Sequence, residues 1–179
     1  VMERMASERI FLVPTLKAIW ELAENNRPGV PDWIIQKMNA VREDHVLSIR
    51  RAIAAGVPIA MGTDAATPYN FHGHNAVELQ LMADAGMTPM QALTAATLNA
   101  ARAVGWDDWL GSIEIGKVAD MVIVRKNPLA DLRTLADPHN VELVIQDGRV
   151  VARRPDTSDH DVPERVMASL AVLRDGGEV

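Results

Sequence analysis

Gly56-Val-Pro-Ile-Ala-Met-Gly-Thr-Asp64 is the stretch that decides the reading of this 179-residue chain. A short apolar run, Val57 to Gly62, passes through small residues and then presents a single carboxylate. A parallel strand that ends this way delivers a metal ligand or a general base to the mouth of an α/β barrel. The bland alternative is an aspartate that caps the next helix. One carboxylate is not a metal site, and the stretch before it holds one histidine, His45.

Working outward, Ile10-Phe-Leu-Val-Pro14 is a second continuous apolar run, which predicts a strand buried on both faces and closed by its proline. Residues 15–25 read as a helix with Leu16, Ile19, Trp20 and Ala23 on one side. A long helix follows from Pro31 to Ala55, with Asp32 as its N-cap. Its stripe is Ile35, Met38, Val41, His45, Ile49 and Ile53, so His45 reads as packing rather than as a ligand. Gly56 ends it. Strand, helices, strand and helix in that order predict a right-handed crossover between parallel strands.

Beyond Asp64, residues 65–75 form a loop rich in Pro, Asn, Gly and His, and Ala76 to Gly86 a helix. Thr88, Pro89 and Gln91 spell a capping box with proline at the first helical position, opening a helix that runs to Gly105. After Gly105 the texture changes. Ala119 to Val124 is a strand, and the two apolar runs flanking Asp147-Gly148 predict a hairpin. Trp106 and Trp109 are expected to anchor the junction. The fold class expected is α/β, with three parts: 1–105 in the larger unit, 106–153 a small β subdomain, and 154–179 a linker and C-terminal amphipathic helix over 163–174.

Composition narrows the partners. The apolar fraction is 48% and the charged fraction 23%, as in globular proteins. A net charge of −6 disfavours nucleic acid and anionic membranes. No apolar stretch approaches the ~18 residues of a membrane span. The absence of cysteine excludes disulfides and thiolate chemistry and fits a cytoplasmic location. The acidic N-terminus does not read as a signal peptide. A start at Val1 suggests a chain that begins inside a longer reading frame.

Phe11-Leu-Val-Pro-Thr-Leu16, Ala55 to Ala65, Pro89 to Arg102 and Leu110 to Val124 form a specific pattern in combination, with Asn127-Pro-Leu and Asp147 to Val151 adding to it. The pattern resembles the C-terminal part of the metal-dependent amidohydrolase superfamily, in the branch of imidazolonepropionase-like and Xaa-Pro or Xaa-Arg dipeptidase-like enzymes. The resemblance covers about residues 1–152. It implies a partial (β/α)8 TIM barrel, the last two strands with their helices, plus a small β-sandwich subdomain. The family ligands are a His-x-His pair on the first strand, a lysine or glutamate on the fourth, histidines on the fifth and sixth, and an aspartate on the eighth. Ile10 to Val13 then resembles strand seven and Val57 to Gly62 strand eight. Asp64 resembles the metal-binding aspartate that also serves as general base, toward a divalent metal expected to be zinc.

The chain departs from the pattern where strands one to six and their ligands would stand. His72-Gly-His74 has the His-x-His spacing but follows the strand-eight equivalent, in the loop. Asn70-Phe-His-Gly73 resembles a run that borders the substrate pocket in this branch, which makes Asn70 and His72 substrate-binding candidates, with a structural role for His72 as the alternative. Ala66 stands where the family commonly has glycine.

Three functions remain in view. One is metal-dependent hydrolysis of an amide-type C–N bond in a small dipeptide-like or cyclic amide substrate, with a metal site incomplete in this chain. Another is a non-catalytic oligomeric module derived from such an enzyme. The third is one subunit of a split enzyme. Two barrel strands leave edges and apolar faces uncovered. A homo-oligomer, with elements around 1–16 or 154–179 exchanged, or a complementing chain is therefore expected.

Overall fold

Six helices precede the first regular strand among the described residues, which in this computed structural model are 1–23 and 28–154. The helices are α1 (Met2–Ser7), α2 (Leu16–Ala23), α3 (Asp32–Ala54), α4 (Val77–Asp84), α5 (Pro89–Ala96) and α6 (Leu98–Ala103). They are followed by β1 (Met121–Val124), β2 (Val141–Gln146) and β3 (Arg149–Arg153), an antiparallel sheet in the order β1-β2-β3. The architecture is mixed α and β. The helix expected over 163–174 lies outside the described residues, as does the linker before it from residue 155 onward.

The two apolar runs do meet in parallel. Leu12 bridges Ile59, with the Leu12 amide donating to the Pro58 carbonyl at 2.9 Å and the Ala60 amide donating to the Leu12 carbonyl at 3.1 Å. The pairing stops at that single bridge instead of extending along two full strands. Pro58 has no amide hydrogen to lengthen the ladder. Nor is the first run buried on both faces as expected: Ile10 is 44% and Val13 47% exposed. The second run is covered more fully, with Val57, Ile59 and Ala60 all buried.

The core gathers Leu16, Ile49, Ile59, Leu79, Met82 and Ala95 with their neighbours. Leu132, from a 3-10 turn at Leu132–Ala136, is 2% exposed and joins the same cluster, so the segment beyond Gly105 is packed onto the helices. Trp106 and Trp109, expected at that junction, are 57% and 60% exposed instead.

Helix boundaries differ from expectation in two places. Asp32 is the first helical residue of α3 rather than its cap, and Pro31 stands at the cap without a side-chain bond. The helix opened by Thr88 does not run to Gly105 but breaks at Thr97, where φ is −120° and ψ −93°. The capping box itself is formed, with Gln91 N–H donating to Thr88 Oγ1 and Thr88 N–H to Gln91 Oε1. The break has a cause in hydrogen bonding. The Ala95 carbonyl accepts from the Met61 amide at 2.9 Å, and the Thr97 hydroxyl donates back to the Leu93 carbonyl at 2.8 Å. Both draw helix acceptors toward partners outside the ladder. Asn99 then donates from Nδ2 to the Ile59 carbonyl at 2.9 Å, so α5 and α6 together stitch the Val57–Gly62 run in place.

The β2–β3 turn follows its sequence signal, with Asp147 and Gly148 at φ 50° and 70°, both left-handed as a tight hairpin requires.

Gly62 is held by close approach. A Cβ there would collide with Cγ1 of Val13, a side chain stiff at χ1. Gly62→Ala is expected to destabilise the protein by about 1–3 kcal/mol through overpacking. Val13→Ala in the same molecule should restore most of the loss, as read from urea unfolding midpoints.

Candidate functional site

Asp64 follows the Gly62-Thr63 turn, and its backbone enters the left-handed region at φ 49°. Ala66 at 83° and Tyr69 at 63° share that region, so three non-glycine residues in six carry positive φ. Each such residue costs on the order of 1 kcal/mol unless its surroundings hold it, and such strain clusters at functional sites. The loop is tied by its own bonds: Ala66 N–H donates to the Asn70 carbonyl at 2.8 Å, and Thr67 donates to the Asp64 carbonyl from its amide at 3.2 Å and its hydroxyl at 3.0 Å. Asp64, His72 and His74 are all exposed on this loop.

Beneath the loop lies a buried polar cluster. Lys17, on the first turn of α2, is 0% exposed. Its Nζ donates to Asn70 Oδ1 at 2.6 Å and pairs with Glu21 Oε1 at 3.1 Å, one helical turn on. Asn70 is 1% exposed. Its Nδ2 donates to the Thr63 carbonyl and, at 3.1 Å, to the Asp64 carbonyl. Glu78 is 0% exposed, and its two oxygens accept the Leu16 and Lys17 amides at 2.8 and 2.7 Å. A carboxylate from α4 thus caps the start of α2, where first-turn amides have no partner within the helix.

Burial pushes Glu78 up to about 7, against the pull of those two amides and of the Lys17 charge, with nearby Asp64 adding to the rise.

The sequence reading places Asn70 and His72 at a substrate. The structure puts His72 on the exposed face and turns Asn70 inward, with both ends of its amide occupied by protein groups. His74 lies edge-on to Phe71, ring centroids 6.4 Å apart. Among the described residues no three His, Cys, Asp or Glu side chains converge so as to hold a metal ion. The donors described here therefore do not by themselves fit a metal site, and Asp64 is the single expected ligand present. Lys17 and Glu78 are missed by a reading of apolar stripes. Their signal is positional: Glu78 stands one turn before Met82, which is 0% exposed, so its carboxylate falls on the buried face of α4.

A sequence model of the amidohydrolase family matches residues 4–151. The chain belongs to the amidohydrolase family. It is 35% identical over 152 residues to the ochratoxinase of Aspergillus niger, a match that spans 84% of this chain and 31% of the relative. It is 39% identical over 107 residues to the imidazolonepropionase of Geobacillus kaustophilus, spanning 57% of this chain and 24% of that protein. Among solved structures, a Xaa-Pro dipeptidase with methionine bound in its active site superposes with a TM-score of 0.74 at 35% identity, covering 86% of this chain and 37% of that one. The crystal structure of A. niger ochratoxinase gives 0.73 at 32% identity, covering 88% and 35%. This amidohydrolase-family chain spans about a third of the length of the ochratoxinase it matches. No helix among the described residues is long and apolar enough to cross a membrane.

Two predictions concern the loop and its support. Ala66→Gly should stabilise the protein by about 0.5–1 kcal/mol, because glycine carries no Cβ penalty at φ 83°; a rise in the thermal midpoint checks it. Because the folded-state value of Glu78 lies above its unfolded value of 4.5, the native state binds the proton more tightly. Its stabilising contribution is full below pH 4.5 and is lost as pH rises through about 7. Urea midpoints between pH 4.5 and 8 should show this fall, and Glu78→Gln should flatten it.

Proposed function

We propose that this chain contributes the last two strands of an amidohydrolase barrel and the aspartate that ends the eighth. The completed protein would hydrolyse an amide-type C–N bond in a small dipeptide-like or cyclic amide substrate. The observation that carries the reading is the placement of Asp64: an exposed carboxylate on a left-handed turn, directly after a run that pairs in parallel with residues 10–13. The family membership and the likeness to a Xaa-Pro dipeptidase, an imidazolonepropionase and an ochratoxinase support the substrate class.

In this reading Asp64 accepts the proton of the attacking water and returns it to the leaving nitrogen, a pair of transfers that suits a carboxylate. His72, exposed beyond Asp64, touches the substrate side of the loop, while Asn70 acts from beneath through the backbone. A divalent ion, with zinc as the expectation, would take Asp64 as one donor and the remainder from outside the described residues. Because the donor set here is incomplete, a complementing chain or a longer polypeptide supplies the rest. The uncovered faces of Ile10 and Val13 favour such a neighbour, or a second copy of the chain.

Asp64→Asn, made in the polypeptide at its natural length, should lower kcat by roughly 10²-fold or more against a panel of dipeptides and cyclic amides, with the thermal midpoint little changed. Turnover equal to that of the unaltered protein would remove Asp64 from the mechanism.

A further inference from the structure

We propose that Lys17 and Asn70 act together as a positioning pair for Asp64, holding the backbone of residues 63–64 from beneath so that the carboxylate points outward in a fixed direction. The proposal rests on the reading of Asp64 as the working carboxylate.

The chain of contacts is continuous. The Glu78 carboxylate fixes the backbone of Lys17 by accepting its amide at 2.7 Å. The Lys17 ammonium reaches Asn70 Oδ1 at 2.6 Å, and the far end of the same amide donates to the carbonyls of Thr63 and Asp64. A cation on the oxygen of a carboxamide polarises it and strengthens its N–H donors, an effect enlarged by low surrounding polarity. Lys17 and Asn70 are 0% and 1% exposed, so water does not compete for these bonds. The Asp64 carbonyl also receives the Thr67 amide and hydroxyl from within the loop, at 3.2 and 3.0 Å. Held from both sides, it leaves the side chain only its own torsions to vary. Without the hold, a non-glycine residue at φ 49° would relax toward negative φ and swing its Cα–Cβ bond away.

A merely structural role makes a different forecast. Were Lys17 present only to pair with Glu21, Lys17→Met would cost stability by taking the cation away from a buried carboxylate, but the molecules that remain folded would keep the kcat of the unaltered protein. The positioning role requires the ammonium and, separately, the Asn70 donors. Asn70→Asp keeps the size and the Lys17 contact but sets a carboxylate oxygen against two carbonyls.

The test uses the polypeptide at its natural length, with Lys17→Met, Asn70→Asp and the double variant assayed on the dipeptide that the unaltered protein cleaves best. The proposal expects kcat to fall by about 10- to 100-fold in each single variant, with KM nearly unchanged and most of the protein still folded by circular dichroism. The double variant should be no worse than the poorer single one, because both act through one path. Activity lost only in proportion to unfolded protein, or fully additive losses, would overturn it. Carbonyl carbon shifts of Thr63 and Asp64 in the NMR spectrum give a readout independent of turnover. They should move in Asn70→Asp, and unmoved shifts would overturn the pair. If the unaltered protein cleaved nothing, the hydrolase reading would fail on its own, and these shifts would decide the positioning pair.

Discussion

The ammonium of Lys17 sits in the interior of this protein, and the strand ends, the loop and the helix start are arranged so that it can stay there. Taking a lysine charge out of water is tolerated only when its hydrogens meet good acceptors. Here the ammonium meets the amide oxygen of Asn70 in the loop and the carboxylate of Glu21 one turn along α2, while the carboxylate of Glu78 on α4 holds the Lys17 backbone amide and adds its charge at longer range. None of the three is a neighbour in sequence of the others, so the cluster can form only when α2, α4 and the loop are docked. It therefore works as a tertiary latch, and the exposed Asp64 is its outermost part.

The helices around the latch are shaped by the same need to satisfy backbone groups. The run that leads to Asp64 pairs with residues 10–13 through one bridge, and its other polar groups turn to the helices. Met61 donates to the Ala95 carbonyl and Ile59 accepts from Asn99, which is why the helix that starts at Thr88 is cut at Thr97. The Val57–Gly62 run thus has residues 10–13 on one side and a helix carbonyl with a side-chain amide on the other. In the family this chain belongs to, relatives are about three times as long.

What could be read from residues alone follows from which interactions are local. The Thr88–Gln91 capping box, the Asp147-Gly148 turn and the approach of the two apolar runs depend on neighbours within a few residues or on strongly apolar runs, and all are present. The break at Thr97 was not legible, because it follows from a bond with Met61, 34 residues away from Ala95. The exposure of Trp106 and Trp109 was not legible either, since apolar character does not say what lies opposite. At the site, Asp64 and the loop stood out, whereas Lys17 and Glu78 did not: a charged residue on a helix ordinarily faces water, and the burial of these two shows only once α2, α4 and the loop are docked. The family resemblance implies a glycine preference at position 66, and its reason, a backbone at φ 83°, is visible only in three dimensions.

Amide hydrogen exchange at Leu16 and Lys17 tests the latch most directly. These two N–H groups stand at the first turn of a helix, where exchange is normally fast. If the Glu78 carboxylate holds them in a buried cluster, they exchange as slowly as the amides of α4 that surround Met82. Exchange at the rate of an open helix end would contradict the account, because the cluster under Asp64 would then not be closed.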